Sequence, residues 1–410
     1  YTLLHSCASK AGCPGEKPQS AQSPLLLLPG SFSNSCLDTR CLRAGCLAVN
    51  SNPELHMAII ITDEDARRHL DMKECIDAMR VCFQDFADQT AISLPRVRYT
   101  IENGDKEKSY YANVHVGAAP SFGLACVRAG THIIDDNAYD SGRRSMRNPE
   151  PVNWTVVILY DIKTSEPVAF MHESHVSGIR VGATTGAAVN EIAREDASIL
   201  GLLGTGRQSR AHAEAISAVR KIEKIKLFSP NTNHVRNWIH DMQHLDAEII
   251  PVSDALTVVE GSDIVCCATN TTTPVLRGEW LCNGQMVISI VNSDPTATRR
   301  EVDNETFIRA SDIVINDWDS VYSNKQIELI EPLEAGLVKK ENVHVLGEIF
   351  AGRAQVKSAP DNIIYYKNNT GLAMQFAAAG ALIQSKMAEG DNTNRIIPRE
   401  WLAADQYGIG

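Results

Sequence analysis

The chain has 410 residues, of which 44% are hydrophobic and 22% charged, and its formal net charge at pH 7 is -11. This length and composition are typical of a globular protein with more than one domain, and the longest leucine run, 25–28, is too short to cross a membrane. The negative charge disfavours nucleic acid or an anionic membrane as the main partner, because either would select a basic protein face.

Residues 1–56 differ from the rest of the chain, because they are rich in Pro, Ser and Gly and show no helical or strand period. They contain five cysteines, Cys7, Cys13, Cys36, Cys41 and Cys46. Cys41 and Cys46 lack CxxC spacing and no histidine pair follows, so a zinc or disulfide module is the weaker interpretation. We interpret the segment as a disordered leader, or as sequence translated upstream of a start at Met57. The remaining scattered cysteines are typical of reduced thiols and predict a cytoplasmic protein.

Residues 57–180 are predicted to form an α/β unit that supplies the substrate side of the cleft, because they precede the nucleotide-binding pattern. A strand over 59–61 is followed by Thr62 and Asp65, an N-cap pair that starts a helix, and by a second helix over 73–86. Alternating apolar residues then predict further strands over 96–101, 109–114, 123–129, 154–160 and 168–171. Residues 372–402 are expected to return to this unit and complete it.

The stretch 199–209 reads as an apolar strand, a Gly-x-Gly-x-x-Ser turn and the start of a helix. A dinucleotide pyrophosphate needs a backbone that approaches without a Cβ, which Gly204 and Gly206 supply, and a helix N-terminus, which begins near Arg207. Thr205 and Gln208 complete the predicted cofactor-binding turn. A glycine motif alone has low specificity, since such turns also end ordinary strands.

The segments around this turn raise its specificity. Apolar runs over 224–228, 247–252, 263–268, 286–291 and 312–316 alternate with helical segments. This alternation predicts a mostly parallel sheet covered on both faces, so residues 181–371 are assigned to a Rossmann-type, doubly wound α/β domain. The alternative is an α/β sheet without a cofactor.

The cofactor itself is predicted from the end of the second strand of this sheet. Ser229 and Asn231 lie where an NAD-selective fold usually carries an acid, and Arg236 follows one helical turn later. NADP(H) is therefore slightly favoured over NAD(H). Thr269 and Asn270, after the fourth strand, are predicted to line the nicotinamide half of the site.

Several motifs together resemble the ornithine cyclodeaminase and mu-crystallin family. They occur in order over nearly all of residues 57–402, at 94–96, 123–128, 177–180, 204–209, 300–303, 347–353 and 371–375. The resemblance implies a two-domain subunit, a homodimer built through the N-terminal domain, and bound NAD(H) or NADP(H). It also implies a small amino-acid or imino-acid substrate and hydride transfer between its α-carbon and the nicotinamide, with an imine on the oxidised side.

The family contains several activities, which the sequence leaves open. The main hypothesis is an ornithine cyclodeaminase-like oxidoreductase of amino or imino acids, and the enzyme alternative is an alanine dehydrogenase or a ketimine or imino-acid reductase. The alternative from a different class is a non-catalytic protein that binds NADPH and a small ligand, as in the mu-crystallin branch.

Three arginines are predicted to bind the substrate carboxylate. A guanidinium holds a carboxylate through two parallel hydrogen bonds, and Arg96 and Arg180 match the family's carboxylate-binding positions, although a single arginine is more often a solvated surface residue. Arg128 stands where the family usually has a lysine. It keeps the charge but stays protonated, so it can bind as a third arginine but cannot act as a general base, which puts ornithine cyclodeamination in doubt.

Asp294 is the predicted catalytic partner of Arg128. It follows a predicted strand, where open α/β sheets place ligand-contacting groups, and matches the family's aspartate at the substrate amine. The alternative is an Asx turn before Pro295. Asn369 matches a family position near the nicotinamide. His172 and His175 flank Glu173 in what reads as a loop just before Arg180, but no third ligand is near, so no metal is predicted.

Overall fold

The computed structural model describes residues 57–105, 107–135, 154–293, 298–368, 371–387 and 395–403, all of which belong to one structural unit, Cys46–Gly410. The predicted leader, most of the predicted polar loop over 135–151, Asp294 and Asn369 lie outside these ranges. The described residues form two β-sheets with helices packed on them, which confirms the predicted α/β class. The division into domains at 180 and 371 stays a prediction.

The first sheet contains eight strands. They are β1 (Met57–Ile61), β2 (Ile92–Ser93), β3 (Val97–Glu102), β4 (Lys108–Ala119), β5 (Leu124–Asp135), β6 (Trp154–Asp161), β7 (Pro167–His172) and β16 (Ile396–Pro398). Their order is β16-β1-β7-β6-β5-β4-β2, and β3 also pairs with β4. Strands β1 and β7 pair in parallel and the others pair antiparallel. Strands β4 and β5 are longer than predicted, because their ladder runs from the pair Lys108 and Asp135 to the turn at 120–123. Strand β4 is extended at the turn, and β5 at the far end.

One face of this sheet is covered by helices. Helix α11 (Met374–Met387) packs on β4, β5 and β6, and α1 (Asp63–His69), α2 (Met72–Ala87) and α3 (Ser174–Ile192) pack against α11. The predicted cap of α1 is confirmed. The Asp65 N–H donates to the Thr62 hydroxyl at 3.3 Å, and the Thr62 N–H donates to the Asp65 carboxylate at 2.8 Å.

The prediction of a loop just before Arg180 is wrong, because helix α3 begins at Ser174. Three glycines in α3 lower its intrinsic helix propensity and hide its periodicity. In the structure they face α4 (Arg207–Val219), where a Cβ added at Gly182 would lie 2.5 Å from the carbonyl oxygen of Ala211. Close packing of the two helices therefore outweighs the low propensity, and it brings Arg180 near the glycine turn.

The second sheet has eight parallel strands. They are β8 (Ile199–Leu203), β9 (Lys224–Phe228), β10 (Glu248–Pro251), β11 (Ile264–Cys267), β12 (Met286–Ser289), β13 (Asp312–Ile315), β14 (Val343–Val345) and β15 (Ile364–Lys367). The order β10-β9-β8-β11-β12-β15-β13-β14 runs outward in both directions from β8. The predicted Rossmann-type sheet is thus confirmed, with its switch point between β8 and β11, where such folds bind ligands.

The remaining helices of the described ranges are short. They are α5 (Thr232–Asp241), α6 (Ala255–Val259), α7 (Asn304–Arg309), α8 (Trp318–Ser323), α9 (Ile327–Glu334), α10 (Leu346–Phe350) and α12 (Arg399–Leu402). The sequence analysis missed β14 and β15, whose places in the sheet depend on pairing with β12 and β13 and not on a local pattern. Strand β15 inserts between β12 and β13 and carries Lys367 to the edge of the sheet. Over the described ranges, no helix combines the length and apolarity needed to cross a membrane.

Candidate active site

The glycine turn lies at the switch point of the parallel sheet. Gly204 has a φ of +107°, and a Cβ there would lie 2.3 Å from the carbonyl oxygen of Ala268, so both conformation and space require glycine. Gly206 is the N-cap residue of α4, and a Cβ there would meet no atom within 4 Å. The N-terminal end of α4 is therefore open, as the approach of a pyrophosphate requires.

The side chains after the turn connect it to the first half of the molecule. Arg207 donates from Nη1 to the carbonyl oxygen of Ser174 at 2.9 Å, and Gln208 donates from Nε2 to that of Ser177 at 3.5 Å. Arg210 holds the carbonyl oxygen of Thr205 at 2.6 Å. The turn is thus fixed against α3, and the cofactor roles of Thr205, Arg207 and Gln208 stay predictions.

The other residues predicted to contact the cofactor follow β9 and β11 in the sequence. Asn231 is the N-cap of α5 and accepts hydrogen bonds from the backbone N–H groups of residues 233 and 234 at 3.0 and 3.2 Å. Ser229 is half-buried, and Arg236 and Asn270 are exposed. The Thr269 hydroxyl donates to the Glu301 carboxylate at 2.8 Å.

The three predicted carboxylate-binding arginines converge on the inner face of the first sheet, the face that α11 covers. Arg128 of β5 pairs with His115 of β4, and Arg96 immediately precedes β3, whose first residue pairs with Val114. Continued by one residue, this register places Arg96 opposite His115. Residues opposite one another share a face, so Arg96, His115 and Arg128 form one row. Arg180 joins this row from α3.

Aromatic and backbone groups fix the arginines of this row. The Arg180 guanidinium lies 4.2 Å from the centroid of the Phe376 ring, and that of Arg128 lies 5.7 Å from it. Arg180 donates to the Gln375 side chain at 2.6 Å, and Arg96 donates to the carbonyl oxygen of Gly371 at 2.7 Å. The sequence analysis assigned no site role to Phe376 or Gln375, because small apolar residues around them read as helix packing.

Each of the three guanidinium groups keeps a donor without a partner. The Nε atoms of Arg96 and Arg180 and the Nη1 atom of Arg128 are buried and form no hydrogen bond within the described part of the chain. A buried donor without a partner costs free energy, so such groups mark places that a ligand or water completes.

Glu173 is the carboxylate that contacts this row. It is 5% exposed, and its Oε1 accepts from Nη2 of Arg128 at 3.3 Å. Burial alone raises the pKa of Glu173, but the Arg128 charge, a hydrogen bond from Ser177 and the Arg180 charge lower that pKa overall, so the group is ionised. The sequence analysis considered Glu173 only beside the two histidines, since nothing local indicates its burial.

The arginine row carries excess positive charge. Burial lowers the pKa of Arg180 to about 10, which leaves it protonated at neutral pH. Burial and then the charges of Arg128 and Arg180 also lower the pKa of Arg96. His115, 2% exposed, has a pKa lowered by burial and by the neighbouring arginines, so it is neutral. The row can therefore bind an anion.

A second buried cluster lies at the C-terminal edge of the parallel sheet. Lys367, 1% exposed, donates to the Ser289 hydroxyl and to the carbonyl oxygen of Val291 at 3.0 Å each, and forms an ion pair with Glu328. Glu301 accepts from the Ser289 hydroxyl at 2.9 Å, and burial raises its pKa. This cluster fixes the segments that follow β11 and β12, and the sequence analysis did not identify it.

The two histidines beside Glu173 have structural partners. The His172 ring accepts from the backbone N–H of Asp63 at 3.4 Å. The backbone N–H of His175 donates to the Asp63 carboxylate at 2.9 Å. Across the described residues, no group of three or more His, Cys, Asp and Glu side chains could hold a metal ion.

Comparisons with known proteins place the chain among reductases and dehydrogenases. A Delta(1)-pyrroline-2-carboxylate reductase of Bacillus cereus is 25% identical over 340 residues, which cover 82% of this chain and 99% of the relative. An alanine dehydrogenase of Archaeoglobus fulgidus is 24% identical over 331 residues, 79% of this chain and 94% of the relative.

Solved structures show the same fold over the same length. The Thermococcus litoralis Delta(1)-pyrroline-2-carboxylate reductase in complex with NADH and L-proline matches with a TM-score of 0.70 at 25% identity, covering 82% of this chain and 99% of that chain. An archaeal alanine dehydrogenase dimer with bound NAD matches with a TM-score of 0.68 at 22% identity, covering 82% and 99%. The model of the ornithine cyclodeaminase/mu-crystallin family matches residues 57–391, and the chain therefore belongs to this family.

Proposed function

We propose that the chain is an NAD(P)-dependent oxidoreductase that interconverts imino acids and amino acids. The observation that carries the proposal is the buried arginine row with its unpartnered donors, one of whose members, Arg180, lies on the helix α3 that packs against α4 behind the open glycine turn. The names of the relatives, reductases of a cyclic imino acid and dehydrogenases of an amino acid, support the same reaction class.

The residues around the turn fit a nicotinamide cofactor. Gly204 and Gly206 leave room for a pyrophosphate at the N-terminus of α4, and Thr269 lies on the nicotinamide side of the switch point. Bound there, the cofactor supplies or accepts a hydride at the substrate α-carbon. The related structures contain NADH or NAD, which supports a nicotinamide cofactor for this chain.

The arginine row binds and orients the substrate carboxylate. Arg96, Arg128 and Arg180 approach one face from three elements, so a planar carboxylate bound to them has a fixed orientation. The ring of Phe376 excludes water beneath Arg180 and strengthens this binding, because a desolvated charge interacts more strongly. Glu173 offsets one of the three charges.

Proton transfer at the substrate nitrogen needs a different group. The Arg128 guanidinium offers only donors, and Glu173 is engaged with it, so neither group is suited to accept a proton. We assign this role to Asp294, which follows β12 in the sequence, because open α/β sheets place ligand-contacting groups after their strands. Because Arg128 replaces a group that could act as a base, reduction of an imine is favoured over cyclodeamination.

We further propose that NADP(H) is preferred to NAD(H). No acidic side chain follows β9, Asn231 is used as a helix cap, and Arg236 is exposed on the first turns of α5, where a 2′-phosphate would lie. Replacing Arg236 with Gln should raise the Kd for NADPH about tenfold, since a phosphate contact is lost, and leave that for NADH nearly unchanged. Equal effects on both would contradict this assignment.

The protein is also proposed to be a homodimer. The outer face of the first sheet exposes Val97, Tyr99, Ile101 and Trp154, each at least 50% accessible. The first three alternate along β3, and Trp154 of β6 lies in the same register row as Tyr99. Such a patch is typical of a subunit interface. Val97→Asp should convert the dimer to a monomer in sedimentation velocity, whereas Ile308→Asp, at an exposed apolar residue of α7 outside this patch, should not.

A turnover assay tests the proposed reaction. The full chain is mixed with NADH or NADPH and a panel of imines, and with 2-oxo acids plus ammonia, while the reduced-nicotinamide absorbance and ammonia are followed. Stoichiometric cofactor oxidation is expected, and Arg180→Ala should abolish it while cofactor binding, followed by fluorescence, remains. Ammonia release from ornithine without net cofactor turnover would establish a cyclodeaminase instead. Tight cofactor binding without either reaction would favour a binding protein.

A further inference from the structure

The inner face of the first sheet carries a second polar row, two residues further along the strands from the arginine row. Arg98 of β3 pairs with Asn113 of β4, which pairs with Gly130 of β5, which in turn pairs with Thr155 of β6. Paired residues share a face, so these four lie side by side next to Arg96, His115 and Arg128. None of the family motifs identified from the sequence includes Arg98 or Asn113.

Two polar atoms of this second row, one donor and one acceptor, are buried without hydrogen-bond partners. The Nε atom of Arg98 and the Oδ1 atom of Asn113 have none within the described ranges, and Asn113 is only 9% exposed. Gly130 keeps the row narrow, because a Cβ there would lie 2.5 Å from the Thr155 hydroxyl. A polar row that is built into a sheet but left incomplete needs a polar ligand.

The charges of the two rows add up to more than one carboxylate can balance. Arg96, Arg98, Arg128 and Arg180 supply four positive charges, and among the described residues Glu173 is the carboxylate that pairs with them, through Arg128. Arg98 acts on the same site, since its charge contributes to the lowered pKa values of Arg96 and His115. A substrate with a single carboxylate would leave Arg98 unpaired.

We propose that the substrate carries a second carboxylate on its side chain, and that Arg98 binds it. Resting on the proposed function, this makes the chain a reductase of imino-dicarboxylic acids. The two rows are about 7 Å apart along the strands, a spacing at which two guanidinium groups can hold both ends of a short dicarboxylate. In the reaction, ammonia and a dicarboxylic 2-oxo acid lose water to form the imine. The C=N bond then takes a hydride from NAD(P)H and one proton, and releases NAD(P)+ and the amino-dicarboxylic acid.

The test compares a dicarboxylic with a monocarboxylic 2-oxo acid of similar length. With ammonia and NADPH or NADH, the full chain should show a higher kcat/KM for oxaloacetate than for pyruvate. Arg98→Gln should lower the ratio of the two kcat/KM values about 30-fold, because one partner of a buried charge pair is lost. The matched control is Arg277→Gln, at an arginine whose side chain is 64% exposed, and it should leave the ratio unchanged.

A binding measurement separates this inference from the proposed function. Succinate and propionate are titrated calorimetrically into the cofactor-saturated protein, and succinate should bind more tightly in a manner that Arg98→Gln removes. If pyruvate is the better substrate and Arg98→Gln leaves the ratio unchanged, the second-carboxylate site is wrong while the reductase stands. If succinate binds through Arg98 but no imine is reduced, the site stands and the proposed reaction is wrong. If succinate binds no better than propionate, the inference is overturned.

Discussion

The two sheets each contain a buried charge cluster, and the two clusters are built in opposite ways. At the edge of the parallel sheet, Lys367 bonds to Glu328, Ser289 and a backbone carbonyl, and the oxygens of Glu301 accept hydrogen bonds from backbone N–H groups. On the inner face of the first sheet lie four arginines, of which Arg128 pairs with Glu173, and each of the four keeps a buried donor that has no partner in the part of the chain that the structure describes.

The contrast separates structural from ligand-binding charge. A cluster whose members satisfy one another stabilises the loops it connects and needs nothing from outside. A cluster with excess charge and open donors is unfavourable by itself, and its cost is offset when an anion binds. Burial of charge does not distinguish the two cases, whereas the hydrogen-bond partners do.

The largest expected effect comes from breaking the satisfied cluster. Lys367→Met should lower the free energy of unfolding by about 3–5 kcal/mol, because it leaves Glu328 buried without its cation. Urea denaturation measures the change. As a control, Lys357→Met removes an exposed pair with Glu195 and should cost about 1 kcal/mol or less. Similar losses in the two variants would show that the buried network contributes little.

The opposite result is expected in the arginine row. Arg180→Met keeps the contact with Phe376 and removes one of several like charges, so the free energy of unfolding should change by about 1 kcal/mol or less. The kcat/KM for the imino substrate should nevertheless fall about 100-fold or more. A stability loss as large as that of Lys367→Met would make the row a structural element instead.

The glycine turn contains the same contrast between a filled and an open position. Gly206→Ala places a Cβ in open space, so the melting temperature should stay unchanged while the Kd for the cofactor rises about tenfold or more. Gly204→Ala should instead destabilise the fold, because of its positive φ and the contact with Ala268. Calorimetry of both variants with and without NADPH checks the pair. Unchanged cofactor affinity in Gly206→Ala would exclude the turn as the pyrophosphate site.

The smallest effect is a difference in pH dependence between two buried carboxyls. Burial raises the pKa of Glu173, but the arginine charges outweigh this and lower it from its ordinary value of 4.5. Glu173 therefore contributes stability above that pH, and this stability is lost as the pH falls through the pKa of the folded state. Burial raises the Glu301 pKa above 4.5. Glu301 therefore contributes stability below that pH, and this contribution is lost as the pH rises. Denaturation of Glu173→Gln between about pH 3 and 6 should show a flatter loss of stability in acid than the wild type. An unchanged slope would contradict the ion pair with Arg128.

Much of the fold could be predicted from local patterns. Apolar runs identify most strands of the parallel sheet, the Thr62 cap marks the start of α1, and the glycine turn locates the switch point. Helix α3 and strand β15 could not be predicted in this way. The glycines of α3 have a reason only where α4 packs against them, and β15 becomes a strand of this sheet by pairing with β12 and β13, which lie far from it in the sequence.

The sequence by itself determined which residue types were available: a Rossmann turn, arginines at three motif positions, and no acid after β9. The tertiary structure decided how these residues combine, because burial and partners depend on elements far apart in the chain. Glu173 reads as one residue between two histidines until it packs beside Arg128, and nothing in the sequence distinguishes Arg98 until the sheet aligns it with Asn113. Whether a buried charge stabilises the fold or binds a ligand depends on its hydrogen-bond partners, and those partners come together only in the folded chain.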